Sequence, residues 1–498
     1  MSEIEPISPE INERPSAEVA TGRRTGQTLL VASVGIVLAL VPALLLFDFT
    51  VDDALIPARY ATHIARGQGY RWNTSGAVTD GVTPLGFPYL LAPFASAGPL
   101  AALAWAKLLG LFGWTASAAL FAVAIDRSSR SRLRFVGLAM LAVSAPLAAW
   151  SVAGLETGLA AAFASAAVSL LSLDKRVLGV CFSGLAAALR PELLPFVLIF
   201  AMTPPPGKPA QLGLKETGFV ALGALPFVLV VATRLALFGR PTPLSVLAKP
   251  SDPVLGAKYA LACFLLTGPL VLLAPLAIAK ANAFVKMLVL AVLVHFTAIA
   301  VAGGDWMPLS RLVVPVLPAV MMIAAHLAAI ADRRATLVRS ALAMAGELFV
   351  TVSIGPKAAR VGPDRLAIAR EIAPHLEGAR VVAALDIGWV GAATEATIVD
   401  LAGLTDPSIA VLPGGHTTKR IPPSFIDSRG VDALVLMLGP SETIASPWPR
   451  SVFARGVEAW IASFPGMDES FVVTAESHVP GLPYVVLRRR SSKVSEGP

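Results

Sequence analysis

Residues 29–47 read LLVASVGIVLALVPALLLF, an apolar run with no charge in it, and similar runs recur along the chain. About 20 consecutive apolar residues span the hydrocarbon core of a bilayer, so a chain built from such runs has few soluble folds open to it. Further candidates lie at 100–125, 133–151, 155–173, 177–190, 191–203, 217–238, 259–279, 287–302, 310–330 and 337–354. That gives eleven crossings, or twelve if 84–97 also crosses. Of the 498 residues 55% are hydrophobic and only 15% charged, too little charge for a soluble protein of this length. The fold class read from the sequence is a polytopic α-helical membrane protein.

Lys and Arg stay on the cytoplasmic side of a membrane protein, and here they order the crossings. Arg23 and Arg24 precede the first run, so that run leads outward. Arg127, Arg130, Arg132 and Arg134 then fall in one cytoplasmic loop. Lys175 with Arg176, Lys208 with Lys215, Lys280 with Lys286, and Arg333 and Arg334 with Arg339 occupy later ones. The opposite face receives Asp52, Glu156, the Arg190-Pro191-Glu192 turn, Lys249 and Asp305. A crossing at 84–97 would put the four-arginine loop on the wrong side, so this stretch is expected as an interfacial helix. The short runs flanking Arg190 are expected as a hairpin with a polar tip. Residues 1–26 are polar, with no small-residue cleavage site after the first run, and are expected as a disordered cytoplasmic tail. The net charge of +7 implies contact with anionic lipid headgroups, not nucleic acid. Cys181 and Cys263 both sit in apolar runs and offer no disulfide framework or CxxC metal site.

The character changes after about residue 355. "RLAIAREIAPHLEGARVVAALDIGWVG" reads as an amphipathic helix followed by a buried strand, and "TIVDLAGL", "VDALVLML" and "VFARGVEAWIASF" continue the alternation. A soluble α/β domain is expected over 355–490, large enough for its own core, with a disordered tail at 491–498. An odd number of crossings puts it on the outer side with the two aspartates. The chain has no Gly-rich phosphate loop and no internal repeat of the kind that inverted-repeat transporters show.

Charges near membrane depth ask for a partner or a function, because each costs roughly 2.5–3.5 kcal/mol at a helix centre. Asp52 and Asp53 stand just beyond the first run. Adjacent carboxylates repel when both ionise, so one has a raised pKa unless a cation lies between them; a divalent cation is one option. "IPARYATHIARG" puts Ile56, Tyr60 and Ile64 on one face of a helix suited to lie along the membrane. The turn-rich "GQGYRWNTSG" follows, and the chain returns at "TPLGFPY". The loop 48–83 thus leaves the membrane, lies along it and dives back, forming a floor with acids at its start.

"DDALIPARYATHIARGQGYRWN", then "DGVTPLG", resembles the first extracytoplasmic loop of integral-membrane glycosyltransferases of the C superfamily. The likeness is closest to the branch that holds the mycobacterial terminal arabinofuranosyltransferases. Further matches follow in order: "WSVAGLETGL", "AALRPELL", "RPTPLSVLAK", "GGDWMPLSRLVVPVLP" and "IVDLAGLTDPSIA". Two departures stand out: the usual acid before Gly81 is Asp80 here, and the usual PLW is Pro84-Leu85-Gly86. The resemblance implies that 27–354 form a GT-C transmembrane domain in a bacterial inner (cytoplasmic) membrane. It also implies transfer of a sugar from a polyprenyl-phosphate donor to a glycan or lipid acceptor on the outer face, usually with inversion.

Such a transfer needs a base for the acceptor hydroxyl, cations for the leaving phosphate and a path for the lipid. Asp52 is expected as the base, with Asp53 positioning the acceptor or holding Asp52, and the reverse order stays open. Lys249 and Arg311, then Arg190, are expected on the donor phosphate; Arg190 equally suits an ion pair with Glu192 or Glu156. Asp305 and Trp306 suit a sugar, by hydrogen bond and stacking. Tyr60, Asp80, Glu156 and Glu192 complete the expected substrate contacts, Glu156 also fitting a helix N-terminal acid. No protein metal site is expected. His63 is expected to be solvated, and His295 to be a helix–helix contact. Asp400 and Asp406 are expected to end a strand and a turn. The competing readings are a transporter or flippase of a lipid-linked sugar, an oligosaccharyl or O-antigen ligase, and a scaffold.

Overall fold

The computed structural model describes residues 17–128, 135–211, 213–266, 274–439, 452–477, 479 and 483–490. The expectations for 1–16 and 491–498, and for Arg130, Arg132 and Arg134, lie outside these residues, whereas residues 17–26, expected in the disordered tail, are helical. Helix α1 (Ala17–Leu45) leads to the loop helix α2 (Leu55–Ala65). Then come α3 (Pro99–Ser128), α4 (Leu214–Phe238), α5 (Ala283–Val301) and α6 (Arg333–Ile372). All of these except α2 are long and apolar enough to cross a membrane, five helices among the described residues. Shorter apolar helices run at Thr157–Ser172, Arg176–Leu189, Pro191–Met202, Pro253–Leu266 and Val314–Leu327. On α1, Leu29, Leu30, Val37 and Val41 are exposed, an outward apolar surface that water would not tolerate and lipid does. Its inner face is small: a Cβ at Gly35 would lie 2.5 Å from the Ala118 carbonyl oxygen of α3, the close backbone approach typical of membrane helices. These features mark a membrane-associated protein.

Several expected runs take a different form. The run 133–151 is broken at Ser144 into Phe135–Val143 and Ala145–Ser151. The runs either side of Arg190 form Arg176–Leu189 and Leu194–Met202, joined by a 3-10 turn at Pro191–Leu193. The stretch 84–97 forms only Phe87–Leu91 and a 3-10 turn, Ala92–Phe94, too short to cross, with Tyr89, Leu90 and Phe94 exposed. Helix α6 continues through 355 to Ile372. At 1.5 Å per residue it is about 60 Å long, twice the hydrocarbon thickness, so it carries the chain directly into the next unit.

That unit is a five-stranded sheet with β1 (Val381–Ala384), β2 (Thr397–Asp400), β3 (Ala433–Met437), β4 (Phe471–Glu476) and β5 (Tyr484–Arg489). The strand order is β2-β1-β3-β5-β4. β1 pairs parallel with β2 and β3, and β5 pairs antiparallel with β3 and β4. A short helix, α7 (Ile387–Ala393), links β1 to β2. The chain leaves β1 to one side for β2 and later returns to the other side for β3. Open α/β sheets present a crevice at such a switch point, beyond the carboxyl ends of the strands. Loop residues Ile56, Tyr60, Trp72 and Val82 share one buried cluster with the sheet residues Val382, Leu434 and Val485. Loop 48–83 is therefore part of the α/β core. This corrects two expectations. α2 is buried on the side away from the helices as well, and His63 is buried, its Nδ1 2.8 Å from the Arg71 carbonyl oxygen.

Candidate functional site

The two adjacent aspartates sit in a 3-10 turn, Asp52–Ala54, directly before α2. Successive residues of a 3-10 turn are rotated by about 120°, so the two carboxylates point apart. Asp52 turns to the α/β domain, where its Oδ2 accepts from the Gly388 amide at 3.0 Å and its Oδ1 from the Trp389 amide at 2.9 Å. These are first-turn N–H groups of α7, which have no partner inside the helix. The residue that should cap them, Asp386, makes no capping bond. Its carboxylate is engaged by Arg365 at 3.1 Å, by Arg455 at 2.8 Å and by the Tyr484 hydroxyl. The approach needs glycine: a Cβ at Gly388 would lie 2.0 Å from the Asp52 carbonyl oxygen. Burial, then the charge of Asp386, pushes the Asp52 carboxyl up to about 7, against the pull of the two N–H bonds. Burial would raise Asp386 too, but Arg455 and Arg365 hold it below its usual value.

The far end of α7 is held by the same loop. Arg59 of α2 donates to the carbonyls of Gly391 at 2.6 Å, Thr394 at 2.9 Å and Ala396 at 2.9 Å. Asn73 bonds both backbone groups of Ile398, at 2.9 and 3.0 Å, and so covers the edge strand β2. The loop thus grips α7 by its unpaired donors at one end and by carbonyls at the other.

Asp53 faces a cavity of about 390 Å³ between the helices and the domain. Glu156, Arg190, Glu192, Lys249 and Arg311 also line it. Lys249 Nζ stands 3.8 Å from Asp53 Oδ2. Arg190 is bound by Glu156 at 2.9 Å and by Glu192 at 2.7 Å, and Arg311 by Asp305 at 2.6 Å. Lys249 therefore has the loosest pairing of the three cations, and its side chain is 26% exposed against 5% for Arg190. Arg311 follows two consecutive non-glycine residues with positive φ, Leu309 at 59° and Ser310 at 54°. Such a conformation costs about 1–3 kcal/mol per residue and persists only where its surroundings impose it. Here Trp150 Nε1 donates to the Leu309 carbonyl at 2.9 Å, and the Tyr259 hydroxyl accepts from the Leu312 amide at 3.2 Å. The strained turn fixes where the Arg311 guanidinium can reach.

The structure thus gathers Asp53, Glu156, Glu192, Arg190, Lys249 and Arg311 around one space and leaves five expected residues off its wall. Asp52 is engaged with α7. Asp80 is fully buried on Arg234 of α4 at 2.9 Å, and Arg234 also donates to the carbonyls of Val82 and Thr83. The buried Tyr60 hydroxyl donates to the Thr79 carbonyl at 2.8 Å and accepts from the Gly81 amide at 3.2 Å. Asp80 and Tyr60 therefore hold the return of the loop in shape, a correction to their expected role as substrate contacts. Asp305 is bound to Arg311 and does not line the cavity. Trp306 is 60% exposed and stacks on His416 of the α/β domain, with ring centroids 6.3 Å apart. His295 lies between the carbonyls of Glu192 and Leu312, as a packing residue should. Asp400 accepts from the amides of Ala402, Gly403 and Thr405, building the turn that delivers Leu404 to the cavity wall. Among the described residues no three His, Cys, Asp or Glu side chains converge as a metal site. Sequence reasoning missed Arg59, Asn73, Arg234 and His416. Only Arg234 had a signal, as a charge inside an apolar run.

In class, this is a helical, membrane-associated chain whose α/β domain is built together with a loop between its first apolar helices. Residues 357–479 match the model of a family described as a domain of unknown function (DUF8728), a stretch that begins inside α6 and takes in β1 through β4. No curated protein and no solved structure matches the chain.

Proposed function

We propose that the chain is a membrane glycosyltransferase that moves a sugar from a polyprenyl-phosphate donor to a glycan or lipid acceptor of the cell envelope, with inversion. The observation that carries this reading is the cavity that sets the Asp53 carboxylate beside Lys249, with Arg311 on the same wall. A carboxylate can take a proton from a hydroxyl, and ammonium and guanidinium groups can take the charge of a leaving phosphate. The finer topology belongs to the same reading: eleven or twelve crossings of a bacterial inner membrane, with the loop and the α/β domain on the outer side.

In this mechanism Asp53 accepts the proton of the acceptor hydroxyl as its oxygen attacks the anomeric carbon. The bond from that carbon to the donor phosphate oxygen breaks, and polyprenyl phosphate leaves with the electron pair. A single displacement inverts the anomeric centre. Lys249, the most loosely paired cation, meets the phosphate first and Arg311 second. Arg190 stays with Glu156 and Glu192 and shapes the wall. The base is thus assigned to Asp53, with Asp52 as the residue that fixes its turn to the domain.

The test is transfer of radiolabelled sugar from a panel of synthetic polyprenyl-phosphate sugars by the purified chain in lipid nanodiscs, beside Asp53→Asn and Lys249→Ala. Transfer or donor hydrolysis with one donor, lost in Asp53→Asn, is expected. Inert donors with lipid that still binds and moves between leaflets would overturn the reading in favour of a flippase.

A further inference from the structure

His416 sits at the tip of a stapled loop in the α/β domain. The base of the loop is closed by Lys419, whose buried Nζ donates to the carbonyls of Ala410 at 2.8 Å and Leu412 at 3.0 Å. The tip is closed by the Thr418 amide on the Gly415 carbonyl at 2.9 Å and by the Gly415 amide on Thr418 Oγ1 at 3.0 Å. This rigid tip lays the imidazole against Trp306, with ring planes 28° apart. Among the described residues neither ring nitrogen of His416 has a hydrogen-bond partner, although the side chain is partly buried. The ring is close enough to the cavity to feel the charges of Lys249 and Asp53. Burial and then the Lys249 charge lower its pKa to about 4, so at neutral pH it offers one N–H donor and one bare nitrogen acceptor.

A half-buried ring with both hydrogen-bonding positions open, stacked on an exposed tryptophan, is the chemistry of sugar recognition: apolar ring face plus paired hydroxyl contacts. Which sugar it meets follows from geometry. The isoprenoid tail of the donor has to stay among the apolar helices, so the donor reaches Lys249 from the lipid side. His416 belongs to the domain; it is not part of the cavity wall, but its ring feels the charges of Lys249 and Asp53 on that wall, so it stands on the domain side of the cavity. We propose that His416, backed by Trp306, binds a hydroxyl pair on the incoming acceptor glycan and so contributes to acceptor choice. This rests on the glycosyltransferase reading above.

The experiment uses the full chain in nanodiscs, with the n-octyl glycosides of arabinofuranose, mannose, galactose and glucose as acceptor probes. Three quantities are read for wild type, His416→Ala and His416→Gln: acceptor KM in transfer, the rate of donor hydrolysis without acceptor, and binding of each octyl glycoside by saturation-transfer NMR. Loss of two neutral hydrogen bonds predicts a rise in acceptor KM of roughly 5- to 150-fold in His416→Ala. Donor hydrolysis should be unchanged, NMR binding weakened and His416→Gln intermediate. An unchanged acceptor KM, or equal losses in transfer and donor hydrolysis, overturns the assignment. A wild-type chain that binds an octyl glycoside but neither transfers nor hydrolyses any donor sinks the enzyme reading. Binding that persists in His416→Ala then sinks the His416 assignment separately.

Discussion

The two aspartates can be separated by one pair of substitutions, Asp52→Asn and Asp53→Asn. Asparagine keeps the shape of each side chain but offers one acceptor oxygen in place of two. At Asp52 both carboxylate oxygens are used, on Gly388 at 3.0 Å and Trp389 at 2.9 Å. The amide can serve one of these N–H groups, and its NH₂ then faces the other. One bond is lost and one backbone donor is left unpaired, a cost of about 1–3 kcal/mol. Hydrogen exchange at Gly388 and Trp389 should therefore accelerate by about 5- to 150-fold, because local opening carries that free energy. Among the described residues Asp53 bonds no domain backbone, so Asp53→Asn should leave exchange in α7 as it is. Turnover should behave in the opposite sense. Removal of a general base lowers the rate by about 10²–10⁴, which is expected of Asp53→Asn, while Asp52→Asn keeps the base and loses less. A chain in which Asp52→Asn abolishes transfer while exchange at Gly388 and Trp389 stays at the wild-type rate refutes the division of labour.

The remaining predictions use the same assays. The Asp52 pKa is raised to about 7 from an ordinary value near 3.8, so the native state holds a proton there that the unfolded chain has already released. That proton stabilises the docked state at low pH, and its contribution fades as pH rises towards 7. Stability measured as wild type minus Asp52→Asn should fall between about pH 4 and 7 and then level off; a flat difference contradicts the shift. Lys249→Ala should lower turnover by roughly 10²–10³ with donor binding weakened, and turnover within threefold of wild type would remove Lys249 from the phosphate. Gly388→Ala, whose Cβ would fall 2.0 Å from the Asp52 carbonyl oxygen, should release α7 and raise protease cleavage in the linkers around it, although the cavity wall is untouched. Arg234→Met leaves Asp80 buried and unpaired, a loss of about 3–5 kcal/mol, whereas Asp80→Leu with Arg234→Met should recover much of the folded yield.

How much of this was legible in the sequence depends on the range of the interaction. Membrane helices announce themselves through composition alone, since lipid demands long apolar runs, and the strand and helix alternation after 355 carries its own periodicity. The cavity residues were legible because charges such as Lys249, Arg190 and Arg311 stand near apolar runs and ask for a reason. What the sequence hid were pairings across large separations. Nothing around Arg59 shows that its guanidinium will close the end of a helix more than 300 residues later. His63 and α2 read as an amphipathic surface helix because the second face that buries them is supplied by the C-terminal domain. Asp80 and Tyr60 look like candidate substrate contacts in isolation; the partners that occupy them, Arg234 and the backbone of the same loop, appear only once the chain folds.

On the mechanism proposed above, the same logic explains why the chain keeps two adjacent acids where one would serve as the base. A catalytic carboxylate has to be held to within a fraction of an ångström, and Asp53 stands on a loop whose short 3-10 turn has little stiffness of its own. Its immediate neighbour supplies that stiffness by reaching across to α7, so the position of Asp53 is set by the domain through one residue of backbone. Asp386 follows the carboxyl end of β1, the place where an open α/β sheet presents its ligand site, and is bound to Arg365, Arg455 and Tyr484, with Asp52 docked on the helix that follows. A domain whose switch point is occupied by its own chain is better placed to brace the cavity than to hold a separate ligand there. Movement of the domain would then be felt first at Asp53 and its 3.8 Å approach to Lys249, which makes that distance the one that docking of the domain controls.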